Sequence, residues 1–462
     1  MRRAAVALMV LLAGCAAPML RQEVAPIAPA ALGLTGASTP VADHDWWRSF
    51  GDPQLDRLVD EAIAGAPGLA AALARLSQAQ AVLGQRRAED GPQAALQTQL
   101  QAARLSGRYT VAPPFGGSVR TVGTVGVDLG YTLYLFGRQR LAIDGASASS
   151  KAAGLDLAAA RLAIASAVTQ TYLDLARAEA QATIARRTIA TRQGASRLIR
   201  AQLRNHLASK VELTAADTLV AEAQAALTRA AGGRALAANA LAALAGRGPD
   251  RAAAIEPAAL RLDNGLQPPA QLPADLLGRR ADVAAALARI EAAQAGRKLA
   301  RRAWFPNINL GALIGLQAIG LGNLLSLDAA QLGVGPALSL PLFDNGRRRA
   351  DLAGATAGVD LATATYNEAV VGAVREAADA LALVRNLGQQ QRDVRAVVRG
   401  LAETARLNAV RVRAGLESKL GVVETDTRLL DAELAQVNLA ADATRARVQL
   451  LVALGGGWEM GR

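Results

Sequence analysis

The sequence predicts an α+β membrane protein with four β-strands and two long helical hairpins in each chain. Three observations lead to this fold class: a lipidation-type signal at the N-terminus, a unit that occurs twice, and strands with one apolar and one polar face. Hydrophobic residues make up 52% and charged residues 19% of the 462 residues, which excludes a disordered chain. Aromatic residues amount to only 3%, so any large core must be built mainly from Ala, Leu and Val.

Cysteine and histidine are too scarce for the sites that they commonly form. The chain has one cysteine, Cys15, and two histidines, His44 and His206. These numbers exclude a disulfide framework and a zinc site made only of Cys and His. The net charge of +12 comes mainly from scattered arginines, with no basic run longer than the triplet at 347–349. Nucleic-acid binders cluster such charge and interleave it with aromatic residues, so no nucleic-acid partner is expected.

Residues 1–14 are predicted to be a lipoprotein signal peptide. Arg2 and Arg3 precede an apolar stretch that is too short to span a bilayer, and small residues follow it. The sequence Leu12-Ala13-Gly14-Cys15 matches a bacterial lipobox, in which the cysteine becomes the lipidated first residue; a signal peptide with an incidental cysteine is the alternative. A covalent lipid on Cys15 is expected, and no other cofactor. An Asp directly after the lipidated cysteine favours retention in the inner membrane. This chain has Ala16 at that position, so the outer membrane is the expected location.

The chain contains one unit twice. At an offset of 209 residues, Gly137 aligns with Gly346, and the register continues without a gap to Gly246 and Gly455. Upstream the offset is 214. Ala-rich helices always align to some degree, but matches other than Ala in a single register favour duplication. The matches at offset 209 include Arg197-Leu198 with Arg406-Leu407, Ser209-Lys210 with Ser418-Lys419 and Asp217-Thr218 with Asp426-Thr427. At offset 214, Arg75 aligns with Arg289.

These matches divide the chain into six segments. Each repeated unit is expected to run from a helix through Pro and an extended region to a Gly-Arg corner and a long helical region. The segments are the signal peptide 1–14, a lipidated leader 15–53, the first unit 54–246, a linker or equatorial segment 247–287, the second unit 288–455 and a tail 456–462.

Four extended segments alternate between apolar and polar residues, as strands with two different faces do. Apolar residues expected to face outward alternate with the residues of the other face within 96–102, 125–135, 308–316 and 334–342. The residues between them are mostly Gln, Asn, Gly, Thr and Ser. A soluble sandwich would use the same alternation. The segment 310–327 has no charge and could be taken for a transmembrane helix, but its four glycines argue against a helix. A lipid-facing barrel fits best, but known barrels need about eight strands or more and hydrocarbon tolerates no open edge. Strands from several chains must therefore be pooled.

Each Gly-Arg corner is followed by a helical stretch with one break near its middle. The breaks fall at 205–209 and 414–418, so each unit is expected to form a helical hairpin with His206 and Ser209, or Gly415 and Ser418, at its tip. The stretch from Gly137 to His206 corresponds to a helix on the order of 100 Å long. A periplasmic coiled-coil scaffold without a pore is the alternative.

The lipobox, the duplicated unit and several motifs together resemble the outer-membrane efflux proteins, the TolC-like outer-membrane factors in their NodT-type lipoprotein branch. The motifs are Leu135-Phe136-Gly137-Arg138, the run 335–344, Trp46-Trp47-Arg48-Ser49-Phe50-Gly51-Asp52-Pro53, Arg279-Arg280-Ala281-Asp282-Val283 and Ala303-Trp304-Phe305-Pro306. The resemblance implies a homotrimer in which twelve strands form one barrel in the outer membrane of a Gram-negative bacterium. A long α-helical coiled-coil barrel continues it into the periplasm. An RND-type inner-membrane pump, a periplasmic adaptor and outer-membrane lipid are the implied partners.

In that architecture the hairpin tips form a periplasmic entrance that is lined by acidic side chains. The positions matching the family's aspartates in the second tip are Gly421 and Glu424, and Glu212 is the repeat counterpart of Gly421. The chain departs from the family by lacking one acid and by carrying His206 where glycine is usual. Glu212 and Glu424 from three subunits would form a cation-selecting carboxylate ring. Solvated tip residues without such a role are the alternative.

No convincing catalytic constellation is recognised, so the protein is not expected to be an enzyme. Gly333-Val334-Gly335 lies in a predicted strand without a following helix, and no phosphate-binding loop is found. The predicted function is a passive trimeric exit channel for small molecules such as drugs. An exit channel for type I protein secretion or metal export, or a non-conducting structural lipoprotein, are the alternatives.

Overall fold

The computed structural model describes residues 24–34, 45–108, 111–260, 275–416 and 418–456. The signal peptide, the predicted lipidation site Cys15 and residues 457–462 of the tail lie outside the described residues. Two short 3₁₀ helices, Pro29–Leu32 and Trp46–Phe50, precede the first α-helix.

The first half of the chain forms four α-helices and two strands. Asp52 caps the first helix by accepting a hydrogen bond from the Gln54 amide at 2.9 Å, and Pro53 occupies the first helical position. Gly137 adopts a left-handed conformation (φ 69°) at the corner before the longest helix, which is a conformation that glycine adopts readily. The elements are α1 Pro53–Gly65, α2 Pro67–Ala88, β1 Gln93–Arg104, β2 Val119–Leu133, α3 Arg138–Arg204 and α4 Lys210–Leu244.

From α6 to α8 the second half repeats the order of α2 to α4, which confirms the duplication. Helices α3 and α7 have 67 residues each, α4 and α8 have 35 each, and α2 and α6 have 22 each. The expected boundary at residue 288 falls inside α6, the counterpart of α2. The elements are α5 Pro249–Ala253, α6 Ala281–Arg302, β3 Asn307–Ile319, β4 Ala330–Ser339, α7 Arg347–Arg413 and α8 Lys419–Ala453.

The four strands form one antiparallel sheet in the order β1-β2-β3-β4. The segment 310–327 begins in β3 and continues into a connection with the short 3₁₀ helix Leu321–Asn323, so it does not form a transmembrane helix. Strands β2 and β4 end earlier than the alternation indicated, which leaves Leu135, Leu340 and Leu342 in connections. The Gly137 amide bonds to the Tyr134 carbonyl at 3.0 Å, and this turn ends β2. Pro341, which has no N–H to donate, follows the end of β4.

The long helices pack as hairpins, with breaks at the two places that the sequence predicted. Apolar residues on the buried faces recur at heptad spacing, the pattern of a left-handed coiled coil, and alanines allow the helices to approach closely. Helix α3 includes an 18-residue window apolar enough to cross a bilayer by length and composition. It packs against α2, α4, α6 and α8, and 39% of that window is buried within the chain. The heptad positions include Ala216, Ala223, Ala230 and Ala237 on α4, and Val370, Ala377 and Val384 on α7.

The largest hydrophobic core lies about halfway along the hairpins. It joins α1 to the middle of α3 and to the C-terminal parts of α4 and α8. Trp46 and Trp47 lie edge to face in it, with ring centroids 5.8 Å apart. Four aromatic side chains, those of Trp46, Trp47, Phe50 and Tyr172, therefore lie where several elements meet. Its fully buried members include Leu55, Leu58, Tyr172, Leu173, Leu175, Leu241 and Val448.

The described part of the leader lies against α7. The Asn367 side chain accepts a hydrogen bond from the Ile27 amide and donates one to the Ala25 carbonyl, both at 2.9 Å. Leu34 is buried with Leu276 and Val370 in a second core cluster. Residues 24–34 therefore pack on the second repeat before the chain reaches α1.

Candidate functional site: the sheet and the hairpin tips

The register of the sheet places apolar side chains on one face and mostly polar or small residues on the other. One row across the strands consists of Leu96, Val127, Ile314 and Leu332. Leu96, Ile314 and Leu332 are 72%, 58% and 79% exposed, so this apolar face is uncovered in the single chain. An apolar strand face of this extent is typical of a surface in contact with lipid.

The opposite face of the sheet carries mostly polar or small residues. The adjacent row consists of Gln97, Gly126, Gly315 and Gln331. On the same face the Thr132 hydroxyl donates a hydrogen bond to the Asn309 side chain at 2.9 Å. The strand pairing therefore confirms the predicted division of β1 to β4 into an apolar face and a mostly polar face.

Gly126 and Gly315 lie directly opposite each other at the centre of the sheet. A Cβ atom added to Gly315 would lie 2.5 Å from the Val125 carbonyl oxygen and 2.6 Å from the Gly126 Cα. Distances below about 3 Å cannot be accommodated without moving the backbone of one strand. Glycine is therefore required here by the close approach of β2 and β3.

Both edges of the sheet are open in the single chain. Within the described residues, β1 pairs only with β2 and β4 pairs only with β3. Unpaired backbone N–H and C=O groups are not tolerated in hydrocarbon, because no water is present to satisfy them. The apolar face can therefore enter a bilayer only if further strands cover these two edges.

The first hairpin tip is a tight turn between α3 and α4. His206 lies here with φ 58°, a left-handed conformation that is uncommon for a residue other than glycine. The Leu207 amide donates to the Gln202 carbonyl at 2.8 Å and closes the end of α3. The second tip has the same geometry, with Gly415 at φ 73° and the Leu416 amide 2.9 Å from the Arg411 carbonyl. Histidine therefore occupies a position at which the repeat uses glycine.

Glu212 is held by Ser209, the N-cap residue of α4. The Ser209 amide and hydroxyl donate to the Glu212 carboxylate at 2.6 and 2.9 Å, and the Glu212 amide donates to the Ser209 hydroxyl at 3.2 Å. This arrangement is a capping box, which satisfies free amides at the start of α4. Hydrogen bonds from the Ser209 amide and hydroxyl hold the pKa of Glu212 below its usual range.

The second tip lacks this capping box, because Gly421 stands where the first tip has Glu212. The Ser418 hydroxyl still accepts a hydrogen bond from the Gly421 amide at 3.1 Å. Glu424 lies one turn further along α8 and forms an exposed ion pair with Arg428 at 2.8 Å. The structure thus brings Glu212 to Ser209 and Glu424 to Arg428, a basic residue that the sequence analysis did not single out.

Behind the tips, the two hairpins use different polar contacts between their helices. In the first, Asp217 accepts from the Ser196 hydroxyl at 2.5 Å and pairs with Arg200 at 3.2 Å. Alanines occupy the positions of Ser196 and Arg200 in the second repeat. Burial raises the pKa of Asp426, the counterpart of Asp217. The Asp-Thr pair that occurs in both repeats marked this region in the sequence. The sequence did not indicate which residues contact these aspartates.

A buried hydrogen-bond network fixes the start of α1 to the middle of α3. The Tyr172 hydroxyl donates to the Asp52 carboxylate at 2.6 Å and accepts from the Gln54 side chain at 3.0 Å. Asp52 also accepts from the Ala259 amide at 3.0 Å. Burial and the hydrogen bond to Asp52 raise the pKa of Tyr172, so the hydroxyl stays protonated and donates. Among the described residues, no group of three or more His, Cys, Asp or Glu side chains is placed to hold a metal ion.

Comparisons with known proteins agree with this geometry. The family model described as "Outer membrane efflux protein" matches residues 58–247 and 272–456. The outer membrane protein OprJ of Pseudomonas aeruginosa is 32% identical over 96% of this chain and 93% of its own length. The multidrug resistance outer membrane protein MdtQ of Escherichia coli O157:H7 is 29% identical over 98% of this chain and 97% of its own. The crystal structure of the outer membrane protein VceC of Vibrio cholerae superimposes with a TM-score of 0.82, at 32% identity, over 91% of this chain and all of that one.

Proposed function

Because the chain belongs to the outer membrane efflux protein family, we propose that it forms the passive, homotrimeric exit channel of an efflux system that also contains an inner-membrane pump and a periplasmic adaptor. Its relatives are outer-membrane efflux channels, and the chain shares their fold and location. The trimer, the partners, the cargo and the lipid anchor are the parts of this function that we propose.

The observation that carries the proposal is the sheet with one exposed apolar face, one polar face and two open edges. Three copies would supply twelve strands, and pairing β4 of each copy with β1 of the next would leave no edge unpaired. This number exceeds the minimum of about eight strands that known membrane barrels need. The polar Gln and Gly row would then line the lumen, and the Leu and Ile row would face lipid.

Small toxic molecules are the proposed cargo. The support is that relatives of this chain are named multidrug resistance outer membrane proteins. We propose a passive channel because a pore lined by Gln, Asn, Thr and Gly offers no means of coupling to an energy source. The free energy of transport would come from the inner-membrane pump, which the adaptor would connect to the hairpin tips.

The proposed channel is tested by single-channel recording of the purified protein in planar bilayers. We expect discrete and uniform conductance steps after insertion. A protein that inserts stably and never conducts would instead support a structural lipoprotein. A strain that lacks the gene and accumulates dyes should regain efflux only when the partner pump is also present, because the channel has no energy source of its own.

Lipidation at Cys15 is proposed from the lipobox. Cys15→Ser should abolish incorporation of radiolabelled palmitate and reduce the protein recovered with the outer membrane. Ala16→Ser is the matched control, because it leaves the cysteine in place and should preserve labelling. Unchanged palmitate labelling of the Cys15→Ser variant would contradict the assignment.

We also propose that the net charge of the Glu424 and Arg428 pairs, together with Glu212, sets the ion preference of the entrance. Glu424 is paired with Arg428, so three copies of this pair would contribute little net charge. Arg428→Gln should leave Glu424 uncompensated and shift the reversal potential in a salt gradient towards cation preference. Glu424→Gln should shift it the opposite way, and Glu212→Gln should also reduce cation preference. Identical reversal potentials in all variants would remove these residues from the entrance.

A further inference from the structure

The connection between β3 and β4, residues 320–329, folds back over the sheet instead of continuing in the direction of the strands. A Cβ atom added to Gly123 of β2 would lie 2.9 Å from a methyl carbon of Leu324 and 3.7 Å from one of Leu100. The 3₁₀ helix Leu321–Asn323 contacts both β2 and β3. Gly123 is buried although it lies near the end of the sheet. Leu324 therefore covers it.

The Leu324 side chain lies on the apolar face of the sheet. In the register of β1 and β2, Leu100 pairs with Gly123 and Leu96 pairs with Val127. Because side chains alternate along a strand, Leu96, Leu100 and a Cβ atom on Gly123 point to the same side. This is the face that the proposed channel turns towards lipid. Leu324 therefore holds the connection on the side away from the polar face.

The connection extends the apolar surface of the strands. Its residues Leu321, Leu325 and Leu327 are 57%, 86% and 92% exposed. No charged residue occurs from position 307 to position 327. Exposed leucines that adjoin an apolar strand face form one continuous surface, and a surface of this kind is covered by hydrocarbon or by another protein.

The connection between β1 and β2, at the same end of the sheet, is built differently. The Leu105 amide donates to the Ser118 carbonyl at 3.0 Å, and the Gly117 amide donates to the Leu105 carbonyl at 2.8 Å. These bonds continue the pairing of the two strands, so this connection extends beyond the sheet. It also includes a charged and exposed residue, Arg108. The two connections therefore differ in both direction and polarity.

Arg104 marks the level at which the apolar face of β1 ends. It is the last residue of β1, it pairs with Val119, and the alternation along the strand places it on the same face as Leu100. A long basic side chain at such a position lays its stem along apolar surface and extends its charge to phosphate headgroups. Four residues separate Arg104 from Leu100, which is about 13 Å along a strand. Leu324, at the level of Leu100, therefore lies on the hydrocarbon side of Arg104.

We propose that residues 320–329 form a lipid-inserted loop, in which Leu325 and Leu327 contact the acyl chains of outer-membrane lipid beside the barrel wall. Continuity with the apolar strand face identifies lipid as the partner, and Leu324 fixes the loop on that face. The loop widens the apolar belt of each protomer at one end of the sheet, whereas the connection between β1 and β2 stays in water. This inference rests on the proposed channel and adds a lipid contact that the strands do not make.

The test places a nitroxide spin label on Leu325→Cys or Leu327→Cys in the full-length protein, reconstituted in vesicles of phosphatidylcholine and phosphatidylglycerol. Oxygen concentrates in hydrocarbon and a neutral nickel chelate stays in water, so the two relaxation agents report where each label lies. We expect oxygen to relax both labels more strongly than nickel does. Ala112→Cys, an exposed position in the other connection, is the matched control and should show the reverse. Wild-type protein treated with the label measures any reaction at Cys15.

A label on Ile314→Cys, on the apolar face of β3, separates the loop from the barrel. If this label responds to oxygen while the labels at 325 and 327 respond to nickel, the inserted loop is overturned and the proposed channel stands. If the label at 314 also responds to nickel, both are overturned. Labels at 325 and 327 that respond to neither agent would lie against protein, which also overturns the lipid contact.

A second variant tests the role of Leu324. Leu324→Ser, combined with the label at 325, removes the side chain that covers Gly123 and should lower the ratio of oxygen to nickel relaxation. Asn323→Ser is the control in the same loop and should leave the ratio unchanged, because Asn323 is exposed. An equal ratio in both variants would contradict the fixation of the loop by Leu324.

Discussion

Glu212 and Ser209 form a reciprocal pair at the first hairpin tip, in which the Ser209 amide donates to the Glu212 carboxylate at 2.6 Å while the Ser209 hydroxyl accepts from the Glu212 amide at 3.2 Å. The second tip repeats the serine cap but has Gly421 in place of the glutamate. The two hairpins are therefore alike in backbone geometry and different in how their ends are fixed. Glu212 has a structural role besides any effect of its charge on ions.

Ser209→Ala should loosen the first tip more than Ser418→Ala loosens the second. Loss of an N-cap serine costs about 1 kcal/mol, which is roughly a fivefold increase in local opening. Trypsin sites flank the tips at corresponding positions, at Arg204 and Lys210 and at Arg413 and Lys419. Limited proteolysis followed by mass spectrometry measures both tips in one experiment. Equal acceleration of cleavage at the two tips would show that the capping box adds nothing to a simple serine cap.

Tyr172→Phe should destabilise the protein by about 1–3 kcal/mol, since the buried side chains of Asp52 and Gln54 each lose one hydrogen bond. Thermal unfolding followed by circular dichroism would measure the change. Tyr366→Phe removes the same hydroxyl from a half-buried tyrosine of α7 outside the Asp52 network and should cost less. A Tyr172→Phe variant as stable as the wild type would mean that the network contributes nothing net to folding.

Gly315→Ala should prevent correct pairing of β2 with β3, because the added methyl group would overlap the Val125 carbonyl and the Gly126 Cα. We expect a strong reduction in folded protein in the outer membrane. Gly311→Ala is the matched control on the same face of the same strand, where nothing lies within 4 Å of the added atom. The comparison is made by quantifying folded, protease-resistant protein in membranes. Normal levels of the Gly315 variant would contradict the close approach of the strands.

Asp282→Asn should reduce stability at neutral pH and have no effect in strong acid. Burial alone would raise the pKa of Asp282, but hydrogen bonds from Arg280 at 2.7 Å and from the Val283 amide at 2.9 Å outweigh it and keep the pKa below its usual range. The charged carboxylate thus stabilises the fold above its ordinary pKa, and the contribution is lost as pH falls through the lowered value. Urea unfolding from pH 7 downwards measures the difference, with the exposed Glu222→Gln as control. A deficit that is independent of pH would exclude this ion pair as its cause.

Local patterns were sufficient to predict the repeated architecture, whereas the contacts between distant segments were not predictable. The period-two alternation around Leu96 and Ile314 indicated which face of each strand is apolar, because side chains alternate along any strand. The hydrogen bond from the Tyr172 hydroxyl to Asp52 joins residues that are 120 positions apart in the sequence. No local sequence pattern specifies such a partner. The pair Glu424 and Arg428 has the spacing of one helical turn and could have been found from charge pattern alone.

The central claim is that one chain supplies too few strands to close a membrane barrel, so three chains form one channel. Native mass spectrometry of the detergent-purified mature protein tests this claim most directly. We predict a single species of three times the chain mass, which dissociates into monomers only on denaturation. A stable monomer that remains folded in detergent would contradict it.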